Sequence, residues 1–81
     1  MNPEEVNDRL SFIRFAESLR RDLETNQPYW ENINLNDFLE ALGGYTGDIQ
    51  GYYDNTNKQL DADVPSWRLF ASILKGASMY E

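Results

Sequence analysis

The chain contains no cysteine and no histidine. Without cysteine there is no disulfide, no thiolate nucleophile and no Cys-based metal site. Without histidine there is no imidazole ligand and no side chain that titrates unperturbed near neutrality. No run of about 18 apolar residues occurs, so nothing reads as a membrane span. Positive charge is scarce: seven bases stand against fourteen acids, for a net charge of −7 and a pI near 4.3. Binding phosphates needs a basic surface, so nucleic acid and anionic membranes are not expected partners. A basic protein surface is the expected partner. The start, Met1-Asn2-Pro3-Glu4-Glu5, is acidic where a secretory leader would be basic and then apolar, so the expected location is cytoplasmic.

These absences leave little catalytic chemistry. Carboxylate pairs, a Ser/Lys pair or a carboxylate-held metal are the remaining options. Asp54-Asn55-Thr56-Asn57 begins like a calcium loop, but its sixth position is Gln59 instead of glycine and its twelfth is Pro65 instead of glutamate. The expectation is a non-enzymatic protein with no cofactor and no metal.

What is present is a small amphipathic chain. Eighty-one residues make a single domain, 1–81. A hydrophobic content of 41%, with 14% aromatic, suffices for a core, although a domain this small has a thin stability margin. Charge is uneven along it. Arg9, Arg14, Arg20 and Arg21 lie in the first quarter. From Asp22 to Ser66 nine carboxylates face Lys58 alone, and nine less one leaves −8.

Three helical stripes are legible, and they predict an all-α fold, a small three-helix bundle. Asn2-Pro3 and Asn7-Asp8 are alternative starts for the first. Phe12, Phe15, Ala16, Leu19 and Leu23 share one face. Val6, Leu10 and Ile13 fall on another, so either the helix is wrapped on two sides or its first turn is separate. The second helix is capped by Asn34 and runs from Leu35 to Tyr53 on one broad stripe. It crosses Gly43, Gly44, Gly47 and Gly51. A break near Gly43-Gly44 would give four helices; the unbroken stripe favours one helix with a bare back that another backbone could approach. Asp54 to Val64 reads as a polar loop. Pro65 or Ser66 opens the third helix, whose stripe is Trp67, Phe70, Ala71, Leu74, Ala77 and Ser78.

The aromatics recur in short motifs beside the connections: Trp30-Glu31-Asn32, Phe38-Leu39-Glu40-Ala41, Gly51-Tyr52-Tyr53, Pro65-Ser66-Trp67-Arg68, Phe70-Ala71 and Tyr80-Glu81. With Leu35 and Leu74, this pattern resembles a family of small bacterial proteins of unknown function, from Phe12 onward. The resemblance implies a helical fold and a bacterial cytoplasmic origin, and no activity. The segment from Asp48 through Tyr52-Tyr53 and the acidic loop to Pro65-Ser66 also looks like the recognition segment of the acidic helical immunity proteins that inhibit nuclease bacteriocins. There, a tyrosine pair beside acids contacts the basic toxin. The rest of this chain departs from that family.

Tyr52 and Tyr53 are adjacent, so on a helix they point apart and both cannot be equally buried. Tyrosine beside carboxylates suits a protein-binding surface. The expected partner-binding residues are Asp48, Tyr52, Tyr53, Asp54, Asp61 and Asp63. Trp30, Glu31, Trp67 and Arg68 are expected to be structural. The two tryptophans would close the core, and Glu31 would either pair with Arg68 or stay solvated. The functional expectation is an acidic interaction protein that binds a basic partner, in its sharpest form a nuclease toxin. The alternative is a self-associating helical domain, a homodimer whose copies cover each other's apolar stripes.

Overall fold

The structure is a computed structural model that describes residues 1–81. A short 3₁₀ turn, Pro3–Glu5, precedes three helices: α1 Arg9–Thr25, α2 Leu35–Asn55 and α3 Trp67–Met79. There are no strands, so the fold is a small all-α protein with three helices.

Both start signals at the N-terminus are used. The Asn2 carboxamide accepts the Glu4 N–H at 2.9 Å and Pro3 opens the 3₁₀ turn. Asp8 then caps α1, accepting the Ser11 N–H at 2.8 Å while the Ser11 hydroxyl accepts the Asp8 N–H at 3.1 Å. The first turn is therefore separate from α1. Val6 lies between the two and is fully buried, whereas Leu10 and Ile13 stay exposed.

Helix α2 is continuous through its glycines. Asn34 caps it, accepting the Asp37 N–H at 2.8 Å. Its stop comes at Asn57, which takes a left-handed φ of 58°. There the Lys58 N–H reaches the Tyr53 carbonyl at 2.9 Å and the Asn57 N–H the Asp54 carbonyl at 3.3 Å. These two bonds form a Schellman stop built on asparagine, a residue that tolerates this conformation through its short polar side chain. Ser66 caps α3, accepting the Leu69 N–H at 3.0 Å.

The spine is α3. One small core joins Val6, Phe15 and Ala71; the other joins Ile49, Tyr53 and Leu69. Helices α1 and α2 each pack on α3 and scarcely on each other. At about 100° per residue, Ala71 and Ser78 face α1 while Leu69, Ile73 and Gly76 face α2. The Pro3–Glu5 turn also packs on α3, beside Arg68, Ser72 and Lys75. Leu74 packs half-buried against the first core, and Phe70 stays exposed.

This arrangement changes two expectations. Trp67 was expected in the core, yet it is 38% exposed and Phe70 is 42% exposed. Trp67 opens α3 at the edge of the first core, packing on Phe12 of α1 and on Phe70, at 5.3 and 6.2 Å between ring centroids. The Glu31–Arg68 pair is not formed; the ion pairs are Arg20–Glu24 and Lys58–Glu4. The Glu31 N–H bonds the Ser78 carbonyl at 2.9 Å. Arg68 lies ten residues earlier on α3, roughly 15 Å away at the helical rise.

The Trp30-Glu31-Asn32 motif instead closes the C-terminal end of α3. The Asn32 carboxamide donates to the Ala77 carbonyl at 2.9 Å and the Tyr80 carbonyl at 2.7 Å. The last carbonyls of a helix have no partner within it, and this motif supplies one. Trp30 is half-buried, stacks on Phe38 and donates its indole N–H to Asp22 at 2.8 Å. That bond, followed by one from Asn26, holds the Asp22 carboxyl below its usual range.

Helices α2 and α3 interlock through two tyrosines, each resting on a glycine of the facing helix. A Cβ at Gly44 would sit 2.7 Å from the Tyr80 ring, and one at Gly76 would overlap the Tyr45 ring. The rings meet edge to face at 5.9 Å. The Tyr80 hydroxyl donates to Asp48, which pushes its ionisation up.

Candidate functional site

The outer face of α2 is the most distinctive surface. Gly43, Gly47 and Gly51 succeed one another at four-residue spacing and so line one side of the helix. A Cβ at any of the three would meet nothing within 4 Å. Their bareness therefore serves no packing inside this chain, unlike that of Gly44 and Gly76. Glu40, Asp48 and Asp54 are exposed on the same helix, and Leu35–Asn55 contains no base.

The tyrosine pair divides as its geometry requires. Tyr53 is 7% exposed and belongs to the second core; Tyr52 is 50% exposed. Their rings lie 6.2 Å apart. Asp54 follows on the open side and accepts the Gln50 carboxamide at 3.1 Å. Gln50 went unnoticed in the sequence, yet it ties the acidic loop to α2. It donates to the Leu60 carbonyl at 3.0 Å and accepts the Ala62 N–H at 2.7 Å. Asp61, between those anchors, accepts the Asp63 N–H at 2.9 Å. Tyr52, Tyr53, Asp54, Asp61 and Asp63 thus gather at the C-terminal end of α2. Asp48 lies one turn before Tyr52 and is engaged by Tyr80.

A second feature was not visible in the acidic stretch. Tyr45, Tyr52 and Tyr53 also wall a cleft of ≈ 640 Å³ on the opposite side from the glycine line, together with Lys58, Arg68 and Lys75. The tyrosine corner therefore has carboxylates on one side and bases on the other. The only sequence signal for it was Arg68 and Lys75 at seven-residue spacing, which puts both on one face of α3.

A third feature is an apolar groove of ≈ 370 Å³ between α1 and α2, with Leu74 in its floor and Leu19, Leu23, Trp30, Leu35 and Phe38 in its walls. Leu35 is 72% exposed there. No group of three or more carboxylates is placed to hold a metal ion, and no helix is long and apolar enough to cross a membrane.

In comparisons with known proteins, a family model described as "Family of unknown function (DUF7660)" matches residues 8–81. No curated protein and no solved structure matches.

Proposed function

The chain belongs to this family of unknown function, and from that premise we propose a non-enzymatic interaction protein whose acidic α2 face binds a basic protein partner. The observation that carries the reading is the line of Gly43, Gly47 and Gly51. Each glycine costs a helix about 1 kcal/mol relative to alanine, and nothing in this chain touches the three. A bare helical back lets a second backbone come close. Acids border it, and the half-exposed Tyr52 at its end is the residue type that anchors protein interfaces. In its most concrete form the partner is a toxin, a nuclease, neutralised in the bacterial cytoplasm by covering its basic phosphate-binding site.

Capture from a lysate of the native host, at low and at physiological salt, tests this. A basic protein is recovered, more strongly at low salt, where attraction between opposite charges is least screened. Recovery of no basic protein at either salt contradicts the reading.

The apolar groove supports a second reading, a homodimer. A folded monomer of this mass is expected to expose about 5,000 Å², whereas this chain exposes 5771 Å². The excess, about 760 Å², is close to one partner's share of a standard interface, roughly 800 Å². Arg20 borders the groove on α1, and α2 carries only acids. A two-fold rotation that lays α1 of one copy over α2 of the other therefore covers both grooves and sets opposite charges together. Sedimentation equilibrium is expected to give a dimer that Leu35→Glu splits. A monomer at every concentration, for the unmodified protein, contradicts the dimer and leaves the α2 face untouched.

A further inference from the structure

Three of this acidic chain's seven bases, Lys58, Arg68 and Lys75, line the single cleft beside the tyrosines, and of its fourteen acids only Glu4 does. Three positive charges against one negative is the reverse of the balance of the chain as a whole, seven bases to fourteen acids. The fold produces this from three separate places. Arg68 and Lys75 rise from the side of α3 that the Pro3–Glu5 turn borders, with Lys75 also near Asp22 of α1. Lys58 follows the left-handed Asn57, whose turn ends α2 and brings the ammonium back to Glu4 at 2.9 Å. Tyr45, Tyr52 and Tyr53 stand on the facing wall, on α2.

The chemistry of this lining is selective. A guanidinium and two ammonium groups offer charge-assisted hydrogen bonds to a phosphate or carboxylate, and phenol hydroxyls add neutral donors. The half-exposed Tyr52 ring presents flat apolar area beside those donors. A volume of ≈ 640 Å³ is far more than a bare inorganic ion fills; it lies inside the range of about 300–1,000 Å³ typical of small-molecule sites.

We propose that this cleft binds a small organic anion, with a phosphate or carboxylate head held by Arg68 and Lys75 and a planar body lying on the tyrosine wall. The cleft lies on the opposite side of α2 from the glycine line and shares only Tyr52 with the face proposed to bind a protein. Two ionisation states suit it. The hydrogen bond from Lys58 to Glu4 pushes the ammonium's ionisation up, so it stays charged, and burial pushes Tyr45 up, so it stays a neutral donor.

Titration of the isotope-labelled full chain with phenyl phosphate, benzoate and inorganic phosphate, followed by amide NMR shifts, tests the proposal. Saturable shifts centred on Tyr45, Tyr52, Lys58, Arg68 and Lys75 are expected with phenyl phosphate or benzoate. The tighter of the two identifies the head group. Inorganic phosphate, lacking the ring, should bind at least about ten-fold more weakly, since the aromatic contact is absent. Lys75→Gln, which removes a charge, and Ser72→Glu, which places a carboxylate in the cleft, should each weaken the better probe by about ten-fold or more. Glu4→Gln, which frees Lys58, should tighten it. Circular dichroism checks that each variant is folded. No saturable shift with either aromatic probe overturns the proposal. So does inorganic phosphate binding as well as phenyl phosphate, or a folded Ser72→Glu variant binding as tightly as the unmodified protein.

Discussion

Replacing Gly43, Gly47 and Gly51 together by alanine stabilises the isolated protein by about 2–3 kcal/mol. Alanine restricts the unfolded chain and lowers the entropy lost on forming the helix. The added methyls enter open space at all three positions, so no packing penalty offsets the gain. The sites share no partner, and their effects should add. Urea unfolding followed by circular dichroism reads the change as a higher midpoint at an unaltered slope. Gly76→Ala serves as the contrast within the same helical system. Its methyl would fall on the Tyr45 ring, so the sign reverses and stability drops. A triple variant no more stable than the parent would mean that the back of α2 is already occupied in solution.

Asn32→Ala costs about 3 kcal/mol, because two helix-terminal carbonyls lose their donor and each orphaned acceptor is worth roughly 1–3 kcal/mol. The carboxamide reaches across from the α1–α2 connection to Ala77 and Tyr80 and is the only side chain that bonds both. In a domain with nine buried residues that loss is a large share of the total. Glu31→Gln is the matched control and should change stability little. Glu31 acts through its backbone N–H on Ser78, which the substitution leaves in place. Thermal unfolding of the two variants side by side separates a motif that closes α3 through Asn32 from one that works through the Glu31 carboxylate.

Local structure was more legible than assembly. Asn2-Pro3, Asp8, Asn34 and Ser66 all act as the caps their residue types suggest, because capping depends on three or four neighbouring residues. The continuity of α2 was legible for the same kind of reason: its stripe keeps phase through every glycine, and the stop falls at Asn57 instead. What the pattern could not express is which helix packs on which. An apolar stripe reads the same whether a neighbour covers it or not. Trp67, Phe70 and Leu35 sit on such stripes and remain exposed, because α1 and α2 pack on α3 and scarcely on each other. The gathering of Lys58, Arg68 and Lys75 was hidden likewise, since only the turn at Asn57 brings Lys58 into the company of the other two. On the candidate interface, the exposed half of the Tyr52-Tyr53 pair followed from geometry alone, whereas the glycine line acquired its meaning only when its surroundings proved empty.

The central claim is that the bare, acid-bordered back of α2 is kept free for a basic partner. Calorimetric titration of the captured partner into the parent protein and into the Gly43→Ala, Gly47→Ala, Gly51→Ala variant tests it most directly. The account predicts that the variant, though the more stable fold, binds the partner at least about ten-fold more weakly, because methyl groups hold the partner's backbone away. Equal affinity for the two proteins would contradict it.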